Sequence, residues 1–372
     1  MNAETKIKKI FSKLTFHSGQ MMQNRVMLAP LTNMQSNADG SLSDDEFKWL
    51  TMRAAGGYGI TMTCAAHVQK LGQGFQGQLG IFADRHYNGL KRLAEGVTYH
   101  KSLGIVQLHH AGMRSPSNLI CQLPVAPSNH YDQDQSLLAT KLSEDDIKII
   151  ISDFVKAAQR AEIAGFNGVE IHGAHGYLLT QFLSSKYNSR TDSYGGSLKN
   201  RSKLTFEILK AIRENTSNNF IVGLRLSPDG YGLCPQEMLT LSQSVINTGQ
   251  LDFLDISFWD VFRQAPHLGE ENKQPSCLFI DCYAELDWKN TKLLVSGKIK
   301  SADDIIWCLD KGADFVALGK TAILHHDFPN QLRKDIDFLP VGTPVSRDYL
   351  RNEGLGETFI NYMESRWEGF VN

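Results

Sequence analysis

The sequence predicts an α/β fold, a (β/α)8 barrel in which eight parallel strands close on themselves with helices packed outside. Three observations lead there. Eight short apolar or β-branched runs recur along the 372 residues, most of them separated by stretches with helical periodicity. The runs are apolar along their length instead of alternating, as parallel strands covered on both faces are. The first run is not followed by a G-x-G-x-x-G turn, and no linker, internal repeat or low-complexity stretch divides the chain. Both absences disfavour an open dinucleotide-binding sheet with a second domain.

The strands are read in order at "RVMLAP" (25–30), "GITMTCAA" (59–66), "IVQLHH" (105–110) and "GVEIHG" (168–173). They continue at "IVGLRLS" (221–227), "FLDISF" (253–258), "KLLVSG" (292–297) and "FVALGK" (315–320). The third and fourth are joined by the clearest helix, "SEDDIKIIISDFVKAAQRAEIAG". There Ser143 and Asp146 form a capping box, apolar residues recur at helical spacing, and Gly165 ends the run. "NRSKLTFEILKAIREN", "PQEMLTLSQSVINTG" and "SADDIIWCLDKGA" read the same way. A closed barrel typically needs about 250 residues. The surplus falls in two long connections, after the third strand (111–141) and after the sixth (259–290), where substrate loops grow. The expectation is a single domain spanning 1–372, with the barrel over 24–335 and a C-terminal tail over 340–372.

Composition removes several function classes. The formal net charge is −2, and no run of Lys or Arg suggests a nucleic-acid groove. The N-terminal "MNAETKIKKIFSKLTF" alternates lysines with apolar residues, unlike a signal peptide or a membrane anchor. Six scattered cysteines without a CxxC pair fit reduced thiols, so a cytoplasmic location is expected, while the expectation of a small-molecule substrate comes from the strand ends and the resemblance they carry.

In such a barrel the carboxyl ends of the strands form the active-site face. Here they are polar: Pro30 and Thr32, Gln107, His109 and His110, His172, His175 and Tyr177, then Arg225. Ser296, Gly297 and Lys298 follow the seventh strand, and Gly319 and Lys320 the eighth, where barrels bind a phosphate. His172 and His175 could ligate zinc, but no third ligand accompanies them, so no metal is expected. Arg225 could pair with a barrel carboxylate such as Asp255. Together with Gln107 it could instead hold a flat heteroaromatic ring bearing carbonyls and ring nitrogens, as flavin is.

These residues resemble the old yellow enzyme family of FMN-dependent barrel oxidoreductases. The marks are "NRVMLAPLTNM", "QLHHAG", "AGFNGVEIHGAHGYLLTQFLS", "NSRTDSYGGSLKNR", "VGLRLS" and "VSGKI", spread from Asn24 to Pro329. The resemblance implies FMN as cofactor and NADH or NADPH as co-substrate. It places Pro30, Thr32, Ala65, Gln107 and Arg225 around the flavin, and Gly297, Gly319 and Lys320, with Ser296 beside them, at its phosphate. It makes His172 and His175 a two-donor clamp on a carbonyl or nitro oxygen, and Tyr177 the acid that protonates the α-carbon of an activated alkene. Arg190, Asp192 and Arg201 are read as anchors of a loop. Three positions depart from the pattern: Met34, Met113 where an arginine is usual after "HAG", and Lys320 in place of arginine. In some relatives the C-terminus reaches a neighbouring subunit, so a homo-oligomer is compatible with the sequence. On the residues alone, a flavin-free barrel lyase or isomerase acting on a phosphorylated substrate stays open, as does a flavin-binding barrel without catalysis.

Overall fold

The structure is a computed structural model that describes residues 1–266 and 277–372. Eight parallel strands close a barrel in sequence order. They are β1 (Val26–Leu28), β2 (Ile60–His67), β3 (Leu103–His109), β4 (Gly168–Gly173), β5 (Ile221–Leu226), β6 (Phe253–Ser257), β7 (Lys292–Ser296) and β8 (Phe315–Leu318). Each falls on its expected run. The helices that follow them in turn are α1 (Asp44–Ala55), α2 (Tyr87–Thr98), α3 (Glu144–Ala164), α4 (Lys203–Glu214), α5 (Pro235–Ile246), α6 (Phe279–Ala284), α7 (Ala302–Asp310) and α8 (Phe328–Lys334). A last helix, α9, spans Glu357–Arg366. The start of α3 is the capping box expected at Ser143 and Asp146, and its end is Gly165 in the left-handed region at φ 96°. One face of α3, through Ile147, Ile150, Phe154, Ala157, Ala158 and Ala161, is buried against the barrel wall.

The lower half of the barrel interior is apolar. A hairpin of Leu14–Thr15 with Met21–Met22 closes the bottom, and Phe16 rises from it to meet Phe253 and Phe315. The three rings pack with centroids 5.7–6.1 Å apart, in tilted or edge-on geometries worth about 0.5–1.5 kcal/mol per pair beyond the area they bury. Gly223 on β5 makes this possible, because a Cβ there would stand 2.1 Å from Cζ of Phe253.

The connection after β3 carries a small three-stranded sheet of Val125–Ala126, Leu137–Lys141 and His130–Tyr131. Arg190 ties it to the loop after β4, donating to the carbonyls of Pro127 and Leu142 at 2.8 and 2.6 Å while pairing with Asp192 at 2.7 Å. Arg201 pairs with Glu237 at 2.6 Å, so this block anchors loops as expected. Of the long connection after β6, residues 267–276 lie outside the described residues. Among the described residues no helix is long and apolar enough to cross a membrane.

Candidate active site

The site sits on a polar layer immediately above the phenylalanine plug. Because side chains alternate across a strand, the inward positions two residues above the plug fall on Gln107 of β3, Arg225 of β5 and Asp255 of β6, with Glu170 on β4 beside them. All four are buried. Gln107 donates its amide to Glu170 Oε2 at 2.6 Å, and Arg225 Nε lies 2.9 Å from Asp255 Oδ2. The pairing of Arg225 with Asp255 thus occurs, and it leaves Arg225 lining the cavity above. The terminal nitrogen of Arg225 also donates to Ser296 Oγ at 3.2 Å and to Ser257 Oγ at 3.3 Å.

Above this floor a cavity of about 60 Å³ is lined by Pro30, Thr32, Ala65, Gln107, His172, His175, Tyr177 and Arg225, joined by Phe75. Eight of the twelve expected site residues therefore meet in one place. A register shift in β2 between Met62 and Ala65 brings Ala65 opposite Gln107, a bulge of the kind that re-aims backbone at active sites. Thr32 and Met34 ride on a loop pinned from behind by Glu46 of α1, which accepts from Asn33 Nδ2 at 3.3 Å, from Cys64 Sγ at 3.1 Å and from the Ser36 hydroxyl.

His172, ending β4, and His175, in the left-handed region at φ 62°, have ring centroids 5.2 Å apart. Burial, then neighbouring positive groups, hold both imidazoles well below the ordinary histidine pKa, so each is a neutral ring with one N–H to donate. Ser257 Oγ lies 2.8 Å from His175 Nε2. Since that hydroxyl accepts from Arg225, it can give its own proton to Nε2, which leaves the ring proton of His175 on Nδ1. Tyr177 caps the short helix Leu178–Leu183, with His109 4.4 Å away edge-on and the Arg114 guanidinium 4.5 Å over its ring. His109 therefore belongs beside the cavity. His110 is spent structurally, held by Gln69 Oε1 at 3.1 Å and by the amide of Gly112 at 3.0 Å.

The remaining four expected residues lie outside the cavity lining. Ser296 joins the site through Arg225, and β7 pairs with β8 so that Gly297 and Gly319 end neighbouring strands. Gly297 has φ 138°, and a Cβ on it would meet the backbone of Trp259 at 2.6 Å. Among the described residues a Cβ on Gly319 would touch only Leu31, at 3.5 Å, so the chain there leaves room for a ligand to approach. Lys320 Nζ donates to Thr343 Oγ1 at 3.2 Å, and Lys298 is turned aside by Asp260 at 2.9 Å.

Several site residues had no local signal in the sequence. Phe75 lies in the glycine-rich stretch after β2, where Gly72 to Gly77 form a G-x-G-x-x-G that opens no helix. Gly77 is needed instead for close approach, since a Cβ would stand 2.2 Å from the Met34 carbonyl. Arg114 stands one place beyond the arginine expected after "HAG". Trp259 packs over His175 at 5.5 Å from the loop after β6. Outward, the cavity adjoins a mouth of about 750 Å³ whose far wall is α9, through Thr358, Asn361, Tyr362 and Ser365.

With this geometry, the match to known proteins is decisive. Residues 9–338 match the NADH:flavin oxidoreductase / NADH oxidase family. The chain belongs to that family. It is 34% identical over 370 residues to the probable NADH-dependent flavin oxidoreductase YqiG of Bacillus subtilis (strain 168), covering 96% of this chain and 97% of that protein. An NADPH dehydrogenase of Clostridium acetobutylicum is 35% identical over 253 residues, 67% of this chain and 73% of the relative. The structure of the old yellow enzyme homologue from Zymomonas mobilis superposes with a TM-score of 0.77 at 24% identity, over 92% of this chain and 96% of that one, a likeness of fold. The protein is accordingly an FMN-dependent NAD(P)H oxidoreductase of the old yellow enzyme family, and the flavin-free lyase reading falls. The donor set suits the cofactor. Gln107 and Arg225 are held from below, Ala65 and Thr32 stand beside them, and His172 Nδ1 is a buried atom with no partner among the described residues.

Proposed function

We propose that the protein reduces activated alkenes, α,β-unsaturated carbonyl or nitro compounds, at the expense of NADH or NADPH. One observation carries the reading: two neutral histidines and Tyr177 converge on a single cavity with Thr32, Gln107 and Arg225. FMN, when bound, supplies hydride from its N5. His172 and His175 would each donate one N–H to the substrate oxygen, polarising the double bond without bringing a competing positive charge. Tyr177 would deliver the proton to the α-carbon. Its hydroxyl makes no hydrogen bond among the described residues, which leaves the proton free for that use. Arg225, Gln107, Pro30, Thr32, Ala65 and Ser296 would hold the ring, Arg225 opposing negative charge on the reduced form, while Gly297, Gly319 and Lys320 would hold the phosphate. The six cysteines, all free thiols, support a reducing, cytoplasmic setting.

The test is a visible spectrum of the purified protein under anaerobic conditions, first with NADPH and then with 2-cyclohexenone. Bands that bleach with NADPH and return with the enone support the reading. A protein that bleaches but does not recover with any enone or nitroalkene rules it out and leaves a flavin-binding barrel of other purpose. Tyr177→Phe should slow the enone half-reaction about 10²- to 10⁴-fold, the range for a lost general acid, with flavin reduction by NADPH near normal. His172→Ala should weaken binding of phenols that mimic the enolate.

A further inference from the structure

The carboxyl groups of Glu170 and Asp255 are fully buried under the floor of the cavity, on β4 and β6, the two strands that flank the β5 carrying Arg225. Charge balance calls for one proton on this pair. Two acids face one guanidinium, that of Arg225, and a second uncompensated negative charge would be costly in a layer closed off from water. Glu170 Oε1 has no hydrogen-bond donor among the described residues, while Oε2 accepts from Gln107. The groups facing the pair are Gln107 from β3, Arg225 from β5, and His172 two residues further along β4, with His175 beyond it. Below lie, among the described residues, only Ile105, Phe253 and the rest of the apolar plug, with nothing that titrates.

We propose that Glu170 and Asp255 hold one shared proton and act, through Gln107 and Arg225, as a positioning pair that takes up protons when the flavin above is reduced. Both side chains that reach the ring edge are gripped from behind by this pair, so its charge sets how much of the Arg225 charge remains to oppose an anion above it. Burial first, then the Asp255 charge, push Glu170 up to about 8, and burial opposed by Arg225 pushes Asp255 up to about 6. Near neutral pH the layer is then balanced. Raising the pH past the upper value removes the shared proton and places a net negative charge under the ring. Reduction at that pH draws the proton back.

The proposal rests on FMN occupying this cavity, and two readouts separate its failure from the failure of the ene-reductase reading. The first is vibrational and needs no turnover. The full-chain protein at pH 7 should show a buried carboxylic-acid C=O band that fades between pH 7 and 9 and is missing in Glu170→Gln. Glu46, also buried with its pKa raised, contributes a separate band identified by Glu46→Gln. The second is the number of protons taken up per two-electron reduction of the flavin-loaded protein. It should rise around pH 8 in the wild type and show no such rise in Glu170→Gln, which keeps the volume and loses the titration. Equal proton uptake in the two proteins, or a band indifferent to Glu170→Gln, overturns the proposal. Should that variant fail to fold, the wild-type pH titration of the band decides alone, because a spectrum unchanged from pH 6 to 9 also overturns it.

Discussion

The lower and upper halves of the barrel interior are made by the same strands and are different materials. β6 turns Phe253, Asp255 and Ser257 inward in succession, and β3 does the same with Ile105, Gln107 and His109. A step of two residues passes from a dry aromatic plug to a layer of buried charge, and another step passes to the cavity. The plug needs only shape and apolar surface. The upper half must keep neutral histidines, an ion pair and two carboxyls out of water, and each group there depends on partners from other strands. Stability is concentrated below and stored cost above.

The largest expected consequence is acid sensitivity of the upper half. Burial lowers the pKa of His67 to about 4 and of His110 to about 3, and holds His109, His172 and His175 well below the ordinary value. In the unfolded chain these rings take a proton near the ordinary pKa, so stability is full above it and is lost as pH falls through about 6.5 toward the folded values. Each ring costs about 1.4 kcal/mol per pH unit in that window. Denaturant unfolding at pH 7, 6 and 5 checks this, and a flat stability across those points breaks the contrast. Next comes the plug. Phe253→Ala should cost about 3–5 kcal/mol, read as a lower midpoint in urea, while the folded fraction keeps its flavin spectrum. Smaller again is the cap of α3, where Ser143→Ala should cost about 1 kcal/mol, equally at all pH values above 5. The smallest is Tyr177→Phe, expected to move stability by no more than about 0.5 kcal/mol. Its hydroxyl has no partner among the described residues and its ring contacts remain, so a large loss would mean that the upper half carries more of the fold than the lower half leaves to it.

What could be read from the chain was whatever is local. Continuous apolar runs mark parallel strands because both faces of each are covered. The Ser143 and Asp146 box and Gly165 mark a helix because capping is settled within a few residues. His172, His175 and Tyr177 were legible because one strand end and one turn carry all three. The proposed phosphate region was less so, since Ser296 is drawn to Arg225 and Lys320 to Thr343 by neighbours that no short motif reveals. The tail, weighed as an arm toward a second subunit, lays α9 along the mouth of its own chain's cavity.

The sequence by itself therefore determined the strand and helix order, the closed parallel barrel and the polar block at the end of β4, because periodicity, capping and spacing act over a few residues. Only the tertiary structure decided which side chains share the floor. Glu170 meets Gln107 across 63 positions of chain, and Arg225 reaches Ser296 across 71. Those encounters follow from the register of closed strands, and their protonation follows from how completely the barrel excludes water once it has closed.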